Sequence, residues 1–154
     1  DLDGRNSCFN DEKIGDYVEA IGLNIKNHDN HKVTYKDEFV EIVSTSNNTA
    51  TSAFVMADSS DKKLILKFRG DLNSKVMLRI YDLATKKYYN FSKNEMQDTH
   101  RDYNAEYRIY PNSKIEEINV PIDLSETTRP RIQIKFNSKS EDEGVFNFYG
   151  YELK

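Results

Sequence analysis

The chain has 154 residues and a formal net charge of −4, because 26 Asp and Glu outnumber 22 Lys and Arg. This length fits one domain, and the acidic balance argues against a general nucleic-acid-binding protein, which usually carries a basic excess. No apolar run reaches the roughly 20 residues that a transmembrane helix needs, and ten Tyr with eight Phe are too many for a disordered segment.

Runs of β-favouring residues, most of them alternating between apolar and polar, recur along nearly the whole chain and predict strands. In chain order these runs are residues 21–25, 39–43, 53–56, 64–68, 76–80, 105–109, 118–122, 132–136 and 145–153. Polar turns rich in Asn, Ser and Asp separate them. The pattern predicts an all-β fold, namely an antiparallel β-sandwich of about nine strands.

Two connections in this pattern stand out. Arg69-Gly70-Asp71 and Asn73-Ser74 separate two strongly alternating runs, which predicts a hairpin-like turn. The segment 82–104 has no clear period, and connections of this length are often functional. Within it, the tetrapeptide from Asn94 to Gln97 favours one helical turn.

The domain organisation is simple. We expect residues 1–154 to form a single β-sandwich domain, with 1–16 as an irregular N-terminal segment. The chain starts with an acidic stretch rather than the basic and apolar segments of a signal peptide. We therefore interpret it as a mature or excised piece of a larger protein. The one cysteine, Cys8, excludes an internal disulfide.

Two parts of the sequence resemble the galactose-binding-domain-like jelly roll, the sandwich used by many bacterial carbohydrate-binding modules. Residues 63–69 and 76–82 are similar to paired strands of that fold, and residues 131–136 and 145–153 are similar to its closing hairpin. The resemblance spans residues 17–153 and implies a jelly-roll module that binds sugars. In many such modules an Asp of the last strand helps to hold a structural calcium; the matching position here is Tyr149, so no calcium site is implied.

Strand alternation predicts a candidate binding surface. If Val76, Leu78 and Ile80 point into the core, their neighbours point outward. The same logic places on an outer face Arg79, Tyr81, Arg108, Tyr110, Arg131 and Gln133, and also Met77, Lys135, Lys67 and Arg69. Tyr rings can stack on a sugar, and Arg can bond a carboxylate or phosphate with two parallel hydrogen bonds. We therefore predict a site for a glycan, including an acidic one, if these strands share a sheet. The alternative is that any exposed face of an antiparallel sheet is polar.

The long segment supplies an alternative site. Its aromatic, amide and charged residues include Tyr88, Tyr89, His100, Arg101 and Tyr103. Loop-borne Tyr and Asn make adaptable binding surfaces. The alternative is that these aromatics pack the loop onto the sandwich.

Metal binding and catalysis have little support in the sequence. His28 and His31 lie three apart without a third ligand nearby, so we interpret them as part of a solvated loop. Residues 1–6 lack the spacing of a calcium loop. No motif of nucleophilic or metal-dependent hydrolases occurs, and Glu106 and Glu116 read as ordinary strand-surface residues. We expect no enzyme, no cofactor and no metal.

The sequence thus favours a non-catalytic carbohydrate-binding module of an exported or cell-surface bacterial protein, located outside the cytoplasm. We expect its partners to be a glycan or polysaccharide and other domains of its parent protein, without nucleic acid or membrane insertion. The alternative is a protein-interaction or assembly sandwich with no sugar ligand, which a contiguous exposed apolar patch would favour.

Overall fold

The computed structural model describes the backbone of residues 24–26 and all of residues 30–154. The predicted irregular segment 1–16, Cys8, the acidic residues 1–6 and His28 lie outside the described residues. No helix in the described part of the chain is long and apolar enough to cross a membrane.

Twelve strands form two antiparallel sheets in the described residues. They are β1 (Asn24–Lys26), β2 (His31–Tyr35), β3 (Val40–Ser44), β4 (Thr51–Met56), β5 (Lys63–Gly70), β6 (Ser74–Asp82), β7 (Lys87–Asn90), β8 (Glu95–Gln97), β9 (Tyr107–Ile109), β10 (Ile115–Pro121), β11 (Pro130–Ser138) and β12 (Gly144–Leu153). The seven-stranded sheet has the order β1-β4-β11-β6-β7-β8, and β9 also pairs with β6. The five-stranded sheet has the order β10-β5-β12-β3-β2.

The core lies between the two sheets. Along β11, Ile132, Ile134 and Phe136 are buried while the residues between them are half-exposed, as strand alternation requires. The ring of Phe136 lies 4.8 Å from that of Phe146 and 5.5 Å from that of Phe148, so β11 and β12 are joined by aromatic contacts across the sandwich. The predicted all-β antiparallel sandwich is confirmed.

Three strands beyond the nine predicted ones occur in the described residues, namely β2, β7 and β8. They are short and contain few apolar residues, so no period of two is visible in their sequences. The predicted helical turn at Asn94–Gln97 is wrong, because β8 begins at Glu95. Asn94 has a φ of 53° and lies in the tight turn between β7 and β8. The side chain of Asn90 stabilises that turn by accepting hydrogen bonds from the backbone of Ser92 and Lys93, each at 2.9 Å.

The connection between β5 and β6 joins the two sheets and is not a hairpin, because β5 belongs to the five-stranded sheet and β6 to the seven-stranded one. Its Asp71 carboxylate accepts hydrogen bonds from the backbone of Asn73 at 3.0 Å and of Val145 at 2.9 Å. The predicted hairpin-like turn is therefore wrong. Lys67 and Arg69, which lie on β5, are exposed on the opposite side of the sandwich from β6, β9 and β11.

We expect Gly70→Ala to destabilise the sandwich, because this crossing is tightly packed. A methyl group at Gly70 would lie 2.5 Å from Cγ of Pro111 and would collide with Oγ of Ser74. Overpacking of this kind costs roughly 1 to 2 kcal/mol in the free energy of unfolding. Thermal unfolding measures the loss, and the double variant Gly70→Ala/Pro111→Ala should recover part of it. A melting temperature unchanged by the single variant would contradict this packing.

Candidate functional site

Five side chains converge on the outer face of the seven-stranded sheet. Arg131 of β11 lies opposite Tyr81 of β6, and Gln133 lies opposite Arg79, so the antiparallel register places these four side by side. Tyr88 of β7 lies opposite Tyr81 on its other side. Together they line a cavity of about 230 Å³, which we call the outer pocket: Arg79, Tyr81, Tyr88, Arg131 and Gln133.

The two tyrosines form an aromatic wall of the outer pocket. The ring centroids of Tyr81 and Tyr88 are 4.8 Å apart and their planes make an angle of 53°. The ring of His100 lies 5.3 Å from that of Tyr88 and extends this wall. Tyr88 and His100 were predicted as part of a separate loop site, but the structure brings them to the face predicted from β6 and β11.

The planar polar groups of the pocket are held by neighbouring strands. The guanidinium of Arg131 lies 4.6 Å from the ring centroid of Phe54 and 5.8 Å from that of Tyr81. Gln133 donates a hydrogen bond from Nε2 to Oγ of Ser52 at 3.0 Å. Phe54 was not identified as a site residue from the sequence. Its position between the buried Ala53 and Val55 of β4 places it on the outer face, and this alternation could have identified it.

A cluster of three cations around one carboxylate borders the outer pocket; we call Glu106, Arg79, Arg108 and Lys135 the Glu106 cluster. Lys135 donates a hydrogen bond to Glu106 at 3.0 Å, while Arg79 and Arg108 lie 3.4 and 3.5 Å from its carboxylate. Burial raises the pKa of Glu106, but the Lys135 hydrogen bond and the three positive charges outweigh burial and bring this pKa below its usual range. The interpretation of Glu106 as an ordinary surface residue is wrong, because these partners come from three strands that only the fold brings together.

Arg108 lies on the predicted face but beside the pocket rather than in its lining. Its guanidinium lies 4.0 Å from the ring centroid of Tyr103 and donates a hydrogen bond to the Tyr103 carbonyl at 3.0 Å. Tyr103 is 70% exposed and begins a short 3₁₀ turn, where Asp102 accepts a hydrogen bond from the backbone of Asn104. The pair extends the aromatic and cationic surface past the Glu106 cluster.

Tyr110 does not join this site. It follows β9, is 56% exposed, and its ring lies 5.1 Å from Nζ of Lys139. Continuing the register of β9 on β6 places Tyr110 level with Lys75, six residues from Tyr81. That separation is about 20 Å along a strand. The expectation that Tyr110 lies close to Tyr81 is wrong, since shared outward orientation does not bring opposite strand ends together.

Two residues of the predicted loop site also lie elsewhere. Tyr89 is completely buried: its hydroxyl donates a hydrogen bond to Oδ1 of Asn94 at 2.7 Å and accepts one from the backbone of Asp123 at 3.0 Å. The prediction that Tyr89 offers a binding surface is therefore wrong, because strand β7 turns it into the core. Arg101 is exposed and does not line the outer pocket.

No group of three His, Cys, Asp or Glu side chains that could hold a metal ion occurs in the described residues. His31 was interpreted as part of a solvated loop, which is wrong. It begins β2, is only 7% exposed, and its Nε2 lies 3.1 Å from Oγ1 of Thr49.

The outer face of the five-stranded sheet has a larger and more open cavity of about 460 Å³. Its lining consists of Glu38, Ile65, Lys67, Glu117, Tyr149, Gly150, Tyr151 and Glu152. Tyr149 packs at 5.2 Å from the ring of Phe39, and Nζ of Lys67 lies 5.8 Å from its centroid. This lining contains no Arg, Asn or Gln; its charged groups are three carboxylates and one ammonium, so it differs from the outer pocket in the sign of its charge.

Comparison with known proteins gives matches in structure but not in sequence. No protein-family model and no curated protein matches the sequence. A substituted form of a family 29 carbohydrate-binding module superposes with a TM-score of 0.55 at 10% identity, covering 86% of this chain and 81% of that one. Another, solved with mannohexaose, has a TM-score of 0.51 at 10% identity, covering 86% and 81%. A family 61 module in complex with β-1,4-galactotriose has a TM-score of 0.50 at 9% identity, covering 86% and 87%.

These matches cover most of each chain at very low identity, which is evidence for a common fold rather than a common ligand. They agree with the two antiparallel sheets and with the resemblance in the strand pattern. The chain therefore has the jelly-roll β-sandwich fold of carbohydrate-binding modules.

Proposed function

We propose that this domain is a non-catalytic carbohydrate-binding module of an exported or cell-surface bacterial protein, that it acts outside the cytoplasm, and that it binds a glycan in the outer pocket. The observation that carries the proposal is the convergence of two Tyr, two Arg and one Gln in one cavity of the seven-stranded sheet. The fold, which is that of known carbohydrate-binding modules, supports it.

The pocket offers both kinds of contact that a sugar needs. The rings of Tyr81 and Tyr88 present flat apolar surfaces for the C–H side of a pyranose ring. Gln133 and Arg79 present amide and guanidinium groups that bond hydroxyl oxygens. The Tyr81–Tyr88 ring contact, the Gln133–Ser52 hydrogen bond and the Arg79–Glu106 ion pair already hold these side chains. Little conformational freedom is therefore lost on binding.

The absence of catalysis is part of the proposal and is supported by the chemistry of the pocket. Glycoside hydrolysis uses a pair of carboxyl groups that flank the scissile bond. The five lining residues include no carboxylate, and the neighbouring Glu106 is engaged by three cations. A carboxyl group whose pKa lies below its usual range is a poor proton donor at neutral pH.

The alternative, a protein-interaction sandwich, is less well supported. It requires a contiguous exposed apolar patch. The large exposed apolar side chains in the described residues are distributed over both sheets and their connections. They are Tyr35 on β2, Met56 on β4, Leu72 between β5 and β6, Tyr103 in the 3₁₀ turn, Tyr110 after β9 and Ile115 on β10. Single exposed apolar residues of this kind are ordinary on a protein surface.

Affinity electrophoresis of the purified chain in gels that contain soluble polysaccharides tests the proposal, because it detects weak binding. We expect retardation by at least one polysaccharide, and a loss of at least about tenfold in affinity in Tyr81→Ala/Tyr88→Ala. Tyr110→Ala, an exposed aromatic outside the pocket, is the matched control and should bind like the parent. Absence of retardation across neutral and acidic polymers, or equal losses in the double variant and the control, would contradict the proposal.

A further inference from the structure

Positive side chains outnumber negative ones around the outer pocket. Arg79, Arg108 and Lys135 share the carboxylate of Glu106 at 3.0 to 3.5 Å. Arg131 lines the same pocket, but within the described part of the chain no Asp or Glu lies within ion-pair distance of it. Among the described residues, the positive charge of Arg131 therefore has no carboxylate partner. The neighbouring Glu106 cluster has three positive groups and one negative group.

The surroundings of Arg131 determine how an anion can approach it. The rings of Phe54 and Tyr81 lie within 4.6 and 5.8 Å of the guanidinium carbon. Such contacts hold the group in place and leave its N–H edge as the hydrogen-bonding surface. The Nε atoms of Arg131 and Arg79 are both buried without an acceptor among the described residues. An atom with no exposed surface is out of reach of a ligand in solvent, so an anion has to approach Arg131 at its terminal Nη groups.

We propose that the outer pocket binds a uronic acid unit of an acidic polysaccharide, with the sugar carboxylate bound to the guanidinium of Arg131 and the sugar ring against Tyr81 and Tyr88. The inference rests on the proposed function and names its ligand class. A carboxylate is planar and matches the edge of a guanidinium with two parallel hydrogen bonds. The cavity of about 230 Å³ is smaller than sites that enclose drug-sized ligands, so it takes one sugar unit of a chain.

The test uses pairs of polymers that differ only in the carboxylate. Each of three polyuronates, namely polygalacturonate, alginate and a glucuronate-containing polymer, is compared with its carboxyl-reduced form, in which the acid has become a neutral primary alcohol. Binding of the full chain is measured by calorimetry and affinity electrophoresis at physiological salt. Arg131→Gln removes one of the two Arg charges of the pocket lining and keeps a planar amide, whereas Arg129→Gln removes a charge from an exposed residue outside the lining.

We expect the parent chain to bind at least one polyuronate about tenfold more tightly than its reduced form. Arg131→Gln should abolish that preference while keeping the weaker binding of the reduced polymer, and Arg129→Gln should keep the preference. Equal binding of both forms by the parent, or loss of preference in both variants, would overturn the inference and leave the proposed function standing. A sulfated polymer is assayed alongside the polyuronates, and its tighter binding than every one of them would also overturn the inference. Failure to bind any polymer would overturn the proposed function as well.

Discussion

Replacing Asp82 with alanine is expected to lower the free energy of unfolding by about 3 kcal/mol, because several hydrogen-bond donors lose a charged acceptor. Asp82 ends β6 and is completely buried. Its carboxylate accepts hydrogen bonds from the backbone of Arg129 at 2.6 Å and of Thr128 at 3.2 Å, and from the hydroxyl of Thr85 at 2.7 Å. One side chain thereby ties the turn after β6 to the segment that enters β11, whose outer residues include Arg131.

The same carboxylate makes the free energy of unfolding depend on pH. Burial raises the pKa of Asp82, but the hydrogen bonds from Thr85, Arg129 and Thr128 outweigh burial and bring this pKa below its usual range. The deprotonated group therefore stabilises the fold. Its contribution is complete above the unfolded pKa of about 3.9 and is lost as the pH falls through the lower, folded pKa.

Melting temperatures of the parent, Asp82→Ala and Asp82→Asn between pH 7 and pH 3 measure both effects. A loss of about 3 kcal/mol corresponds to roughly 10 °C for a chain of this size. The difference between parent and variants should stay at its full size from pH 7 down to about pH 5 and should shrink as the pH falls below about 4. Asp142→Ala removes an exposed carboxylate and is the control. A difference that stays constant with pH would contradict the assigned role of the ionised carboxylate.

The buried halves of the strands could be predicted because alternation has a physical cause that is local to each strand. Ile132, Ile134 and Phe136 face the core, and so Arg131 and Gln133 had to face away from it. The same reasoning correctly oriented Arg79 and Tyr81 on β6 and Arg108 on β9. A period of two is thus sufficient to tell inner from outer positions wherever one face of a strand is buried.

The membership of a strand in one sheet or the other could not be predicted, since it depends on contacts between distant segments. Lys67 and Arg69 alternate as cleanly as Arg79 and Tyr81, yet they lie in the other sheet. Tyr88 and Tyr89 are adjacent in a strand that is too short to show a period of two. Nothing in the sequence therefore indicated that Tyr88 would face the pocket and Tyr89 the core. Glu106 gains its partners from β6, β9 and β11, and no spacing in the sequence marks that convergence.

Replacing Glu106 with glutamine is expected to destabilise the domain by about 2 kcal/mol, between the small effect of exposed ion pairs and the larger effect of buried ones. The side chains of Glu106, Arg79, Arg108 and Lys135 are between 15% and 21% exposed, so their charges are only partly screened by water. Without the carboxylate, three cations repel one another on one sheet face. The shape of the residue is kept, so packing alone predicts no loss.

Salt and pH separate this electrostatic effect from a packing defect. Raising the salt from about 0.01 M to about 1 M shortens the screening length from roughly 30 Å to roughly 3 Å, so the melting temperature of Glu106→Gln should recover toward that of the parent. Because the pKa of Glu106 lies below its usual range, the parent's advantage should be complete above the unfolded pKa of about 4.3 and vanish as the pH falls through the folded pKa. Glu117→Gln, an exposed change on β10, is the control. If the destabilisation of Glu106→Gln does not change with salt, the carboxylate stabilises the domain by packing, and the electrostatic explanation is wrong.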